Sequence, residues 1–233
     1  MRNKTKHTSK RGTLTQKNME SFKEPLAGDL SAAVELREVG KYKEAQEWLS
    51  KLLQSNPANP EALSLLSQVL LLDKKVGAAE SALSKAASIN SELPSIYRNQ
   101  ARLLLRQSKI KEALEKARLG CRQSPADIES LLVLAACLGA NQRDSEALSI
   151  VNKILKDEPN YAEAYAYRAL IKSRAKDATD AIQDAKTAVS LKPHLTQMWY
   201  LLGSLYHQDS NLIDAIEALR IALKNEPKNP VLM

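Results

Sequence analysis

The sequence predicts an all-α protein, a right-handed superhelical solenoid of antiparallel helix hairpins, and three observations carry that expectation. An alanine recurs at Ala45, Ala79, Ala113, Ala147, Ala181 and Ala215, always one 34-residue step apart with no insertion or deletion. A helix stop recurs in the same phase at Pro57, Ser91, Pro125, Pro159, Pro193 and Pro227. Proline lacks the N–H that a helix interior needs, so this column marks where one helix of each unit must end. Finally, hydrophobic residues make up 44% of the chain, yet it has a single Phe and two Trp. Alanine and leucine must therefore build the core, which favours helices packed closely together.

Setting the recurrent alanine at the twentieth position of a unit divides the chain into 26–59, 60–93, 94–127, 128–161, 162–195 and 196–229. The first helix of each unit carries a small residue at the eighth position: Ala33, Ser67, Ala101, Ala135, Ala169 or Gly203. Small residues there and at the twentieth position let two helices approach near the lower end of the usual separation of about 8–10 Å. The second helix adds an apolar twenty-fourth position: Leu49, Leu83, Ala117, Val151, Ala185 or Leu219. A single hairpin cannot cover its own apolar stripe, so the units are expected to stack on their neighbours.

The units differ in detail. Pro60 and Pro94 open the second and third, where the missing N–H of a first helical residue does no harm. Asp144 and Ala178 stand where the other units place Tyr42, Val76, Ile110 and Leu212, and Arg168 and Lys172 occupy columns that are elsewhere mostly Leu. The fifth unit is therefore expected to pack most loosely. The sixth reads Trp199, Leu202, Gly203, Tyr206, Ala215, Leu219 and Pro227. This closely resembles the tetratricopeptide repeat signature W-x2-L-G-x2-Y, A-x3-F, P within 34 residues, and the resemblance extends over residues 26–229.

The flanks read differently. Residues 1–25 hold Arg2, Lys4, Lys6, Lys10, Arg11, Lys17 and Lys23 against Glu20 and Glu24. Such a charged segment with few apolar residues is expected to be disordered. It carries most of the formal net charge of +7, which leaves the repeats nearly neutral and argues against nucleic acid as a partner. Pro230, Val231, Leu232 and Met233 fit the start of a truncated seventh hairpin. The sixth would then present an uncapped apolar face, and self-association is expected.

No apolar run is long enough for a membrane span and no secretory apolar core follows the amino terminus, so a cytoplasmic protein is expected. Cys121 and Cys137 lack C-x-x-C spacing and read as small buried hydrophobes. The chain has no phosphate loop, zinc-protease, serine-hydrolase or dinucleotide motif. Its three histidines, His7, His194 and His207, fall on unrelated positions. No catalytic residue, metal site or cofactor is expected, and the chain reads as a non-enzyme.

The resemblance implies a ligand groove on the concave side, lined by the second, fifth, sixth, ninth, twelfth and thirteenth positions of each first helix. In the first two units those columns include Arg37, Glu38, Ser64 and Gln68. The third supplies Arg98, Asn99, Arg102 and Arg106, and the fourth is apolar, with Leu132, Val133, Ala136 and Ala140. Tyr167, Arg174, Tyr200, His207 and Gln208 follow. The four-residue spacing of Arg98, Arg102 and Arg106 lays three guanidinium groups along one stripe. Either an acidic ligand answers them, or Glu61 and Glu129 on the flanking first helices neutralise them. Tyr167 and Tyr200 have two readings as well: contacts for an extended peptide, or filling between the last two hairpins.

Two ligand modes of the family are not matched. No three consecutive units supply the Lys, Asn and Arg set with which co-chaperones grip a terminal carboxylate. The sixth positions, Ser31, Leu65, Asn99, Val133, Tyr167 and Leu201, do not form the asparagine ladder of the glycosyltransferases that modify Ser and Thr. The expected role is a scaffold that holds a peptide or partner protein, with an acidic peptide across the third to sixth hairpins. The alternative is the recruiting arm of a larger enzyme, such as a transferase.

Overall fold

The computed structural model describes residues 29–226. The expectations for residues 1–25, for Pro227 and for 230–233 lie outside the described residues. Twelve α-helices and no strands are found among them, and consecutive helices pair as hairpins: α1 (Ser31–Glu38) with α2 (Tyr42–Ser55), α3 (Pro60–Leu72) with α4 (Val76–Ile89), and α5 (Pro94–Arg106) with α6 (Ile110–Gln123). Three more follow: α7 (Ile128–Ala140) with α8 (Asp144–Asp157), α9 (Ala162–Arg174) with α10 (Ala178–Leu191), and α11 (Thr196–Gln208) with α12 (Leu212–Asn225).

Each first helix ends in the same way. The N–H of Lys75 donates to the Leu70 carbonyl at 2.8 Å, that of Lys109 to Leu104 at 2.9 Å and that of Arg143 to Leu138 at 2.9 Å, and the bond recurs in the other hairpins. These bonds satisfy carbonyls left open at a helix end and turn the chain through one left-handed residue. That residue is Gly40 in the first hairpin, but Lys74, Ser108, Gln142, Lys176 and Ser210 in the others. The second helices stop two residues before the Pro column. α4 stops at the same place although Ser91 replaces the proline.

The small-residue columns lie where the helices touch. Ala45, Ala79, Ala113, Ala147, Ala181 and Ala215 are all buried, as are Ala33, Ser67, Ala101, Ala135, Ala169 and Gly203. A Cβ on Gly203 would come within 2.6 Å of Leu219 Cγ, so a larger residue at that crossing would force the leucine to shift. First helices of successive hairpins touch one another, α3 with α5, α5 with α7 and α7 with α9, whereas second helices do not pair to that extent. The array therefore curves with its first helices on the inside.

The fifth hairpin is not loosened. α9 and α10 pack as closely as α11 and α12 do. The polar residues in its apolar columns are matched by a buried carboxylate: Arg168 Nε and Nη2 donate to the two oxygens of Asp184 at 2.8 and 2.7 Å, and Lys172 Nζ lies 3.1 Å from it. Lys172 also donates to Asp180 at 2.8 Å. A charge-assisted fork replaces the missing apolar contact.

Candidate partner-binding groove

The inner surface is crossed by side chains that join hairpins far apart in sequence. Glu38, at the end of α1, accepts from Lys192 after α10, and Lys192 also donates to Glu163 on α9 at 2.6 Å. One hairpin further along, Lys74 pairs with Glu226 after α12. Both contacts step across four hairpins, and Lys192 and Glu226 hold the same column of their units. Gly40 lies so close to His194 that a Cβ would meet its ring at 2.8 Å. The array is thus wound tightly enough for its first two hairpins to touch its last two.

Glu129 on α7 is the hub of this interior. Its carboxylate lies 3.0 Å from Arg37, 3.4 Å from Arg98 and 3.5 Å from Arg102, and it accepts from Gln68 Nε2 at 3.1 Å. Burial pushes the Glu129 carboxyl up, but Arg102, Arg98, Arg37 and the Gln68 amide outweigh it and hold it at about 2. Arg98 also pairs with Asp127, whose carboxylate caps α7 by accepting from Ser130 N at 3.1 Å. Burial pushes the Arg102 guanidinium down, with Arg98 and Arg37 adding to the effect and Glu129 opposing it. Arg102 nevertheless keeps 27% of its side-chain surface in contact with water and remains charged.

Four cations, Arg37, Arg98, Arg102 and Lys192, therefore meet four carboxylates, Glu38, Asp127, Glu129 and Glu163. Glu129 neutralises two of the three ladder arginines. Glu61 forms no ion pair among the described residues. Lys192 follows the same logic: burial lowers its pKa, but Glu163 and Glu38 raise it further than burial lowers it.

The expected groove residues divide into three groups. Asn99 and Leu132 do not face a ligand, and that expectation is corrected. Asn99 is fully buried, donating to the Ser64 carbonyl at 2.8 Å and accepting from Arg102 at 3.1 Å. Leu132 lies in the core around Ala113, Val151 and Ile154, and Val133, Ser64 and Gln68 are buried too. Stacking of neighbouring hairpins turns the middle of the sixth column, Leu65, Asn99 and Val133, and part of the fifth, into interior. Arg98 and Arg102 line the channel but are already paired.

The third group remains open. Arg106 is exposed and forms no ion pair among the described residues. Arg174 lies over Gly139, where no side chain stands in its way, and donates to Asp144 at 2.6 Å in an exposed pair. Ala136 is half-buried, and Tyr200 and His207 are exposed. Burial pushes the half-buried Tyr167 phenol up, while nearby Arg102 and Arg106 pull it down.

Burial pushes the free thiols of Cys121 and Cys137 to about 11 and about 12, so neither is a thiolate at neutral pH. Among the described residues no group of three or more His, Cys, Asp or Glu is placed to hold a metal ion, and no helix is long and apolar enough to cross a membrane.

A curved stack of helix hairpins with a side-chain-lined inner face defines the chain as a helical-repeat scaffold for protein interaction. Residues 38–117 match the family described as anaphase-promoting complex, cyclosome, subunit 3, and residues 168–230 match the tetratricopeptide repeat. The chain is a tetratricopeptide repeat protein. The human protein O-mannosyl-transferase TMTC1 is 26% identical over 145 residues, which make up 60% of this chain and only 16% of that protein.

Among solved structures, TTC0263, a thermophilic repeat protein of Thermus thermophilus, is similar with a TM-score of 0.65 at 22% identity, covering 75% of this chain and 95% of that one. The Cut9–Hcn1 hetero-tetramer of the anaphase-promoting complex matches at 0.65 and 18% identity, over 87% of this chain and 40% of that one. PilW, a type IV pilus biogenesis factor, matches at 0.59 and 20% identity, over 87% and 94%. At these identities the likeness is one of fold.

Proposed function

We propose that the chain is a non-catalytic scaffold that holds an acidic peptide, or an acidic segment of a partner protein, along the open stretch of its inner face. Arg106 and Arg174 are the charge contacts and Tyr167 and Tyr200 the apolar ones, with Ala136 as floor and His207 at the far end. The observation that supports this reading is the contrast within the arginine ladder. Arg98 and Arg102 are paired internally, whereas Arg106 is exposed with no carboxylate partner among the described residues. A guanidinium offers a planar fork to a carboxylate, and a desolvated contact of this kind contributes on the order of 1.5–3 kcal/mol. Tyrosine rings supply contact area with a polar tip, as is common at interfaces.

Arrayed peptides rich in Asp and Glu, titrated against the wild type and Arg106→Glu/Arg174→Glu, test the reading. Affinity should fall at least tenfold in the variant and weaken with salt in the wild type. Equal affinity in the two proteins would sink it.

The match to a mannosyl-transferase supports a second reading, in which the array recruits substrates for a larger enzyme. Proteins captured by the array would then be enriched in O-mannosylated chains. Capture without such enrichment removes this reading and leaves the first untouched.

A further inference from the structure

The repeats are nearly neutral in sum, but their charges are sorted in space. Asp127, Glu129, Glu163 and Asp184 are tied to cations of the interior, whereas the outer side of the second helices collects cations of its own. The twenty-fifth, twenty-sixth and twenty-ninth positions, which turn away from the core in the second half of those helices, hold no Asp or Glu in any hairpin. In the three middle hairpins every residue of these columns is exposed. They carry Lys85 on α4, Arg118 and Arg122 on α6, and Lys153 and Lys156 on α8, separated only by Ser, Leu and Asn. The result is a basic band across the convex side of the array.

Local effects do not account for the band. The helix dipole favours cations in the last turn of a helix, which covers Arg122 and Lys156, but Lys85, Arg118 and Lys153 stand before that turn. None of these cations forms an ion pair among the described residues, although Glu115 and Asp157 border the band one helical turn from Arg118 and Lys153. Glu146 feels Arg118 only weakly, because Arg143 holds it in a fork at 2.6 and 2.7 Å. The band is therefore a patch of uncompensated positive charge.

Charge complementarity and spacing select the occupant. Successive second helices repeat the band at about one helix diameter, ~10–12 Å, which an extended polypeptide covers in about three or four residues at ~3.3 Å each. A run of Asp and Glu thus meets a cation at every crossing. Single-stranded nucleic acid is held by aromatic platforms as well as charge, and these columns hold no Phe, Tyr or Trp in any hairpin. A lipid surface is flat and would meet a convex array over a small part of the band, with Leu119 as its one large apolar side chain in the middle hairpins. The residues outside the described ones offer no match, since 1–25 are basic and 227–233 contain no Asp or Glu.

We propose that this outer band is a docking surface separate from the inner groove, which takes an extended acidic segment of a partner protein laid across α4, α6 and α8. Arg118 and Arg122 form its centre, with Lys85 on one side and Lys153 and Lys156 on the other. Contacts between exposed charges of this kind speed encounter and fix register, and they weaken as salt rises.

Fluorescence anisotropy with a labelled Glu-rich peptide of about twelve residues, long enough to cross three helices, tests the proposal on the full 233-residue chain. Arg106→Glu/Arg174→Glu is the background, because it removes the charge contacts of the inner groove and leaves the band intact. In that background the peptide should still bind, and less tightly as salt is raised. Adding Arg118→Ser/Arg122→Ser/Lys153→Ser/Lys156→Ser should weaken binding about tenfold or more. Serine already stands in these columns at Ser84 and Ser88, and circular dichroism checks that helix content is kept. Adding Lys43→Ser/Lys109→Ser/Lys111→Ser/Lys176→Ser instead lowers the net charge equally outside the band and should leave the affinity unchanged. Absence of binding in the background overturns the proposal, as do equal losses in the two serine variants. So does a band that holds phosphatidylserine vesicles or oligothymidine more tightly than the peptide.

Discussion

Arg37 Nη2 lies 3.0 Å from Glu129 Oε1, so a residue at the end of the first helix is tied to the start of the seventh across the inside of the array. Nearest-neighbour stacking would not bring them together. The pair exists because the solenoid winds tightly enough for the first hairpin to face the fourth and fifth.

Acid should undo this tie. Glu129 is held at about 2 in the folded protein, against about 4.3 for a free glutamate. A carboxylate with a depressed pKa contributes stability that is full above its unfolded value and is lost as pH falls towards its folded one. Stability should therefore decline between about pH 4.5 and about pH 2. Glu129→Gln should lower stability at pH 7 by about 2–3 kcal/mol and flatten that decline, since it leaves three arginines without their shared carboxylate. Urea unfolding of both proteins across this range measures it, and parallel curves would contradict it.

Asp184 should be costly to remove alone and cheap to remove with its partner. Asp184→Ala takes both carboxylate bonds from the half-buried Arg168, which keeps only the Asn152 amide, while Lys172 keeps Asp180, for about 1–3 kcal/mol. Arg168→Leu/Asp184→Ala recreates the apolar pair of the second and sixth hairpins, Leu66 with Ala82 and Leu202 with Ala218. That double variant should lie within about 1 kcal/mol of the wild type or above it. Denaturant midpoints of the two variants decide the matter.

Two glycine substitutions should act in opposite directions. Gly40 has φ +78° and touches the His194 ring, so Gly40→Ala should cost about 2 kcal/mol through backbone strain and contact. Gly77 sits in α4 with open space around its Cβ position, so Gly77→Ala should add about 0.4–1 kcal/mol. Thermal unfolding midpoints that move in the same direction would refute the pair of expectations.

Lys192 should govern how firmly the first hairpin is held. Lys192→Met removes the ammonium shared by Glu38 and Glu163. Hydrogen exchange should then quicken in α1 and α2 while α5 and α6 keep their protection. Unchanged exchange in α1 would mean that the cross-groove contact carries no weight.

The hairpins were legible because a repeat writes its packing in local columns. Ala45, Ala79 and their successors touch a partner helix a few residues away, so spacing alone reveals them. The interior pairs were not legible, because Arg37 reaches Glu129 only through the summed rotation of several hairpins, a quantity no single column carries. Asn99, which one hairpin viewed alone would place in the groove, is buried against Ser64 and Ser67 on the first helix of the preceding hairpin. The Arg168–Asp184 fork is intermediate. Its arginine stood out as a misfit in an apolar column, but its carboxylate looked like any other polar residue on a second helix.

A stack held only by neighbouring contacts behaves as a spring, with compliance spread evenly along its length. The clasps from Glu38 to Lys192 and from Lys74 to Glu226 change that mechanics. Small extensions are resisted by two ion pairs at the rim before any helix interface is loaded, so the array should respond to tension stiffly at first and softly once they part. Both clasps are electrostatic, so added salt should lower that threshold while leaving the compliance beyond it unaltered.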